Sequence, residues 1–119
     1  LLGWADILSI HCPLNGRTRN LIGRNELDKM KRSAIIINVA RGGIIDEQAL
    51  AEALDADKIR GAALDVFTSE PINPDSPLLK IVDPCKLLAS PHNAWSTVEA
   101  IDRLIGCVAN NIREYLNNL

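Results

Sequence analysis

The sequence predicts an α/β fold, a parallel sheet with flanking helices. Three observations carry this expectation. Short runs of Ile, Leu, Val and Ala alternate with helical segments or long crossovers. Within those runs the apolar residues are nearly continuous, as in strands covered on both faces. Only 3% of the 119 residues are aromatic while 47% are hydrophobic, so aliphatic side chains must fill the core.

The elements follow in order. Residues 7–12 read as a buried strand that Pro13 ends, and Asn15-Gly16 marks a turn. Asn25 is placed to cap a short helix running through Leu27 and Met30 to Lys31. Residues 34–39 are the strongest strand, broken by Gly42-Gly43. Asp46 then caps a helix through Leu50, Ala53 and Leu54, with Glu47 favourable in its first turn. Residues 61–66 form the next strand, followed by a loop holding Pro71, Pro74 and Pro77. Residues 86–89 make a last short strand, closed by Pro91. The final helix spans about 96–116, with Ser96 and Glu99 at capping-box spacing. Ile101, Leu104, Ile105, Val108, Ile112, Tyr115 and Leu116 fall on one apolar face. Such a face needs a partner, so Ile105 is expected to be buried and an aspartate there to be strongly destabilising.

Composition excludes several function classes. The net charge is −2 and no basic stripe appears, which argues against nucleic acid as the main partner. No apolar run approaches the ~20 residues that span a bilayer. The amino terminus, with Trp4 and Asp6, lacks the basic start of a signal peptide. Cys12, Cys85 and Cys107 are odd in number and widely spaced, a poor disulfide or zinc framework. The reading is a soluble, cytoplasmic protein. The chain starts at Leu1 rather than at a methionine, and reads as a piece of something longer.

In open parallel sheets ligands bind beyond the carboxyl ends of the strands. Four loops are placed there, at 11–13, 40–43, 65–70 and 90–95. Arg41, between a strand and two glycines, has the planar fork that grips a carboxylate, though a surface arginine in a turn would look the same. His92 follows Pro91, and imidazole is a side chain suited to acid–base chemistry near neutral pH; alone it reads as readily as a capping or core histidine. Glu70 precedes Pro71 and can pair with an imidazole, or simply be solvated. Asp65 ends the run Ala-Ala-Leu-Asp-Val and needs a partner, either a ligand amide or a backbone N–H. His11, Cys12, Cys85 and His92 lack the local spacing of a zinc site, so no metal is expected. Ser90 and His92 lack a Gly-x-Ser-x-Gly elbow.

Four segments carry a resemblance. Asn38-Val-Ala-Arg-Gly-Gly-Ile-Ile-Asp46 resembles the arginine motif of D-isomer-specific 2-hydroxyacid dehydrogenases. Leu64-Asp-Val-Phe with Glu70-Pro71 resembles their glutamate motif, and Ser90-Pro-His-Asn-Ala-Trp95 their histidine motif. His11-Cys-Pro-Leu14, with Thr18 and Leu21-Ile22, resembles the segment ahead of these. Order and spacing agree across essentially the whole chain.

The resemblance implies roles. The chain would be the C-terminal portion of a Rossmann-type NAD(P)-binding domain, with hydride passing between a nicotinamide and a small 2-hydroxy or 2-keto acid. Arg41 would bind the substrate carboxylate, His92 would exchange the proton, and Glu70 would keep His92 oriented and more basic. Asp65 would orient the nicotinamide carboxamide. His11, Cys12, Pro13, Thr18 and Ala40 would lie along the cofactor, with Arg41, His92 and Ala94 also touching it. NAD is the expected cofactor, NADP being the alternative, and the full-length enzyme would be a homodimer. Asn93-Ala-Trp95 leans towards glycerate and hydroxypyruvate enzymes. The family's Gly-x-Gly-x-x-Gly loop and its substrate domain are not in these residues. Asp57 stands where a helix-ending glycine is usual, and Pro84-Cys85 where an asparagine is common. A second reading is a regulatory, co-repressor-like protein that uses dinucleotide as a structural ligand on the same scaffold.

Overall fold

A computed structural model describes residues 1–118. Four strands form one parallel sheet in the order β1-β2-β3-β4: β1 (Ile7–Ile10), β2 (Ile35–Asn38), β3 (Gly61–Leu64) and β4 (Leu87–Ala89). The helices are α1 (Arg24–Leu27), α2 (Glu47–Asp55) and α3 (Val98–Asn117), with short 3-10 turns at Pro77–Lys80 and Pro84–Lys86. Ile36, Ile44, Leu50 and Leu54 are fully buried, so the core lies between the sheet and the inner face of α2.

The pairing register explains why the candidate residues converge. Ile10, Asn38, Leu64 and Ala89 form one row across the sheet. The next residues along each strand leave the ladder together at its carboxyl edge. β1, β2 and β3 therefore end one or two residues earlier than their apolar runs suggest, while β4 ends at Ala89 as expected. At β2 the cause is Asn38, which is 2% exposed. Its amide group donates to the Arg41 carbonyl (2.9 Å) while its oxygen accepts from the Ala40 N–H (3.0 Å). A side chain bonding its own following backbone competes with the sheet ladder and bends the chain away.

Asp46 caps α2 as expected, accepting from the N–H groups of Gln48 (3.0 Å) and Ala49 (3.1 Å). Two other cap assignments need correction. Asn25 lies inside α1; Gly23 is the N-cap, and the Glu26 carboxylate reaches back to the Gly23 N–H. Thr97, not Ser96, caps α3 by accepting from the Ala100 N–H, while the Ser96 hydroxyl donates to the Asn93 carbonyl. Adjacent hydroxyl residues make the cap position ambiguous in sequence. Asp57 adopts φ +53°, the left-handed conformation usually given to glycine. Its carboxylate pairs with the Lys86 ammonium (2.8 Å), which also donates to the Leu54 carbonyl, so the non-glycine helix end is tied to the start of β4.

The final helix departs most from expectation. A compact chain of this length has a radius of gyration of about 13–14 Å; here it is 17.5 Å, because α3 stands away from the body. Ile105 is 62% exposed, and no residue of α3 is buried among those described. The 3.6-residue periodicity was a true signal of an apolar face. It carries no information about what covers that face, and these residues do not. An aspartate at position 105 would here meet water rather than a buried site. No described helix is long and apolar enough to cross a membrane.

Candidate active site

Two of the four loops at the sheet's carboxyl edge, 65–70 and 90–95, are held together by side chains that the sequence places far apart. Glu70 and His92 meet: the Glu70 Oε2 lies 2.7 Å from the His92 Nδ1. The other carboxylate oxygen accepts from the Phe67 N–H at 2.9 Å. The hydrogen bond from His92, then that from Phe67, holds the Glu70 carboxyl below the ordinary carboxylate range. An ionised carboxylate only accepts, so Nδ1 must be the donor, and Nε2 is the ring nitrogen left to face a substrate.

His92 has φ +54°, a region that β-substituted residues rarely occupy. Its backbone is fixed on both sides. The His92 N–H donates to the Ser90 carbonyl (3.1 Å), and the Trp95 indole N–H donates to the His92 carbonyl (3.0 Å). Beneath this turn lies Asp65, 3% exposed. Its Oδ1 accepts from the Ser90 hydroxyl (2.6 Å) and the Asn93 N–H (2.9 Å), and its Oδ2 from the Ala94 N–H (2.8 Å). Of the two partners left open for Asp65, the backbone N–H is the one observed, joined by a serine hydroxyl. Burial pushes the Asp65 carboxyl up, but the Ser90, Ala94 and Asn93 hydrogen bonds outweigh it and leave it below its usual range.

The sign of the resulting pH dependence follows. A carboxyl depressed in the folded state contributes stability that is complete above its unfolded value and is lost as pH falls through the folded value. The histidine turn is therefore expected to stay ordered at pH 5 and to loosen only below about pH 4. Trp95 fluorescence, in a Trp4→Phe background, reports this. In Asp65→Asn one oxygen must replace a two-oxygen acceptor, so the turn is expected to be loose already at neutral pH. A wild-type signal from Asp65→Asn would remove Asp65 as the anchor.

Arg41 sits elsewhere on the same edge. It lines a cavity of about 650 Å³ together with His11, Cys12, Pro13, Val39 and Ala40, at the ends of β1 and β2. Arg41 donates from Nη1 to the Ala40 carbonyl at 2.7 Å, and no carboxylate pairs with it among the described residues. Thr18 does not line this cavity. Its hydroxyl donates to the Pro13 carbonyl (2.7 Å) and accepts from the Asn15 N–H, shaping the 11–13 loop. Glu70 and His92 line a second, mostly apolar cavity of about 510 Å³ with Phe67, Ile72, Leu79 and Pro91. The structure thus brings Glu70 and His92 into direct contact, while Arg41 lines the cavity at the ends of β1 and β2, its loop packed against that of Glu70 through Gly42 and Phe67.

Sequence reasoning gave no role to Asn38, Ser90 or the Trp95 indole. Asn38 and Ser90 carried a usable signal, since a polar residue closing an aliphatic strand must find a partner. The Trp95 contact depends on the unusual His92 backbone and had none.

Parallel strands with loops converging at their carboxyl ends are the arrangement in which open α/β sheets bind ligands. Residues 1–94 match the family described as D-isomer specific 2-hydroxyacid dehydrogenase, NAD binding domain, and the chain belongs to that family. It is 41% identical to a glycerate dehydrogenase of Methylorubrum extorquens, over 98% of this chain and 37% of that protein. It is 47% identical to a D-3-phosphoglycerate dehydrogenase of Methanocaldococcus jannaschii, over 94% of this chain and 21% of that protein. The NAD-complexed structure of a D-isomer specific 2-hydroxyacid dehydrogenase from Lactobacillus delbrueckii superposes with a TM-score of 0.82 at 32% identity, over 92% of this chain and 37% of that one. The chain thus spans well under half the length of these relatives.

Proposed function

We propose that this chain supplies the cofactor side and the acid–base machinery of an NAD-dependent oxidoreductase acting on a small 2-hydroxy or 2-keto acid. The observation that carries this is the Glu70–His92 pair, held at the carboxyl edge of a parallel sheet with His92 in a strained backbone conformation. Strain maintained by surrounding hydrogen bonds is common at functional sites. The dehydrogenase and reductase names of the relatives, rather than the pair itself, favour catalysis over the regulatory reading.

The residues present fit a nicotinamide nucleotide. The 650 Å³ cavity falls within the range of about 300–1,000 Å³ typical of ligand pockets. His11, Cys12, Pro13 and Ala40 would hold the nucleotide there, and Ala94 with the histidine turn would border it. When bound, the nicotinamide gives or takes the hydride at the substrate carbon. His92 donates a proton from Nε2 to the carbonyl oxygen in reduction and withdraws it in oxidation. Glu70 holds the ring in the required tautomer. Arg41 binds the substrate carboxylate through its planar fork. In the full-length protein a glycine-rich loop and a substrate domain complete the site, the enzyme is a cytoplasmic homodimer, and glyoxylate or hydroxypyruvate is the substrate to test first.

The test is turnover by the full-length protein of a panel of small 2-keto acids with NADH and with NADPH. Activity with NADH on glyoxylate or hydroxypyruvate supports the reading; no oxidation of either nucleotide with any acid overturns it. Arg41→Lys keeps the charge but loses the fork. It is expected to lower kcat/KM at least ~10-fold, or ~1.4 kcal/mol. Near-normal kinetics would make Arg41 a bystander.

A further inference from the structure

The loop that carries Glu70 is held from outside, and one peptide unit does the holding. The peptide joining Phe67 to Thr68 is planar, so its carbonyl and its N–H are oriented together. At one end, the Phe67 carbonyl packs against Gly42, where a Cβ would overlap it. At the other end, the Thr68 N–H donates to the Glu47 Oε1 at 2.6 Å, across a separation of 21 residues. Glu47 is the first residue of α2 and is partly buried. The preceding amide, that of Phe67, is the one that holds the Glu70 carboxylate. That N–H lies in the Val66–Phe67 peptide, joined to the Phe67–Thr68 plane at the Phe67 Cα, so pinning the second plane at both ends restrains, through the Phe67 φ and ψ, the amide that holds Glu70 towards His92.

We propose that Glu47 is a positioning residue for the acid–base pair, acting through the Thr68 amide and the Phe67–Thr68 peptide plane. The proposal rests on the oxidoreductase reading for its kinetic consequences, but not for its geometry. The plainer role for an acidic residue in a first helical turn is to complement the helix dipole. That role needs no contact with Thr68 and would leave the chemistry at His92 untouched. A charge-assisted hydrogen bond to a backbone N–H is among the stronger kinds, and here it ties α2, next to the Arg41 loop, to the loop of Glu70. Small displacements of a catalytic group far from the mutated atom can be costly in rate.

The experiment compares Glu47→Ala and Glu47→Gln in the full-length protein. Glutamine keeps an oxygen that can accept the Thr68 N–H; alanine does not. Glu47→Ala is expected to lower kcat by about 10-fold with little change in KM. It is also expected to move the acid–base limb of the pH–rate profile in the direction given by Glu70→Gln. Glu47→Gln is expected to restore most of the loss, and Glu47→Ala combined with Glu70→Gln to be non-additive. A readout independent of turnover is the low-field Nδ1–H resonance of the His92–Glu70 hydrogen bond, assigned by its loss in His92→Ala. It is expected to persist in Glu47→Gln and to weaken in Glu47→Ala. A lowered Tm in Glu47→Ala with unchanged kcat, pH limb and resonance would overturn the proposal in favour of a helix-dipole role. Equal defects in both variants would show that charge, not the hydrogen bond, is what matters, and would overturn it too. If the wild type turns over no keto acid but the resonance responds as described, the functional reading fails while the positioning role of Glu47 stands.

Discussion

His92→Ala is expected to lose orders of magnitude in kcat, and Glu70→Gln to retain measurable activity with a displaced pH profile. Removing His92 removes the proton donor itself, an effect typically of about 10²–10⁴ in rate for a positioned acid–base group. Glu70 acts through it. The Glu70 carboxyl is held low by its hydrogen bond from His92, so the pair is an imidazole facing an ionised carboxylate at neutral pH. The carboxylate favours the charged ring; a neutral glutamine amide does not. Reduction of a keto acid needs the protonated imidazole. The limb governing reduction is therefore expected to move to lower pH in Glu70→Gln. KM for the acid is expected to hold, because Arg41, which grips the carboxylate, makes no hydrogen bond to Glu70 or His92. The double variant is expected to resemble His92→Ala alone, since Glu70 has nothing to act on once the ring is gone. pH–rate profiles of the four proteins, each first checked for folding, decide the matter. An unmoved limb in Glu70→Gln, or strict additivity in the double variant, would show that the residues do not work as a pair.

Much of this arrangement was legible in the sequence, and the reasons differ by element. The aliphatic run of β2 and the Asp46 cap of α2 depend on neighbours within a few residues, so local patterns sufficed. Arg41, Glu70 and His92 could be placed on one sheet edge because parallel strands start and stop in register. That Glu70 and His92 touch is tertiary geometry that no local pattern holds. The left-handed backbone of His92 was likewise invisible, because histidine gives no sign of the φ that glycine would advertise. Asp65 shows a middle case. Its need for a partner was readable from its apolar surroundings, but the choice of the Ser90, Asn93 and Ala94 groups was not. For α3 the pattern was right about the face and silent about its cover.

Gly42→Ala is expected to damage both stability and catalysis, for a reason of space rather than of backbone conformation. The two adjacent glycines differ. Gly43 has φ +77°, so a side chain there is strained whatever the room. Gly42 has no such φ, but an added Cβ would overlap the Phe67 carbonyl and lie 2.6 Å from the Thr68 nitrogen. Those are backbone atoms and cannot swing aside as a flexible side chain would. Either the loop of Arg41 or the loop of Glu70 must move. Overpacking of this kind costs about 1–3 kcal/mol. The kinetic cost is expected to be larger than that destabilisation suggests, because the displaced atoms border Arg41 on one side and orient Glu70 on the other. A misplacement of ~1 Å in such a site can cost ~100-fold in rate. Gly16→Ala is the control: nothing lies within 4 Å of a Cβ at that turn, and its φ is unremarkable, so stability and kinetics are expected to stay near wild type. Thermal melts and kcat/KM of the two variants make the comparison. Wild-type behaviour from Gly42→Ala would mean that the two loops are not in the close contact on which the geometry of the site depends.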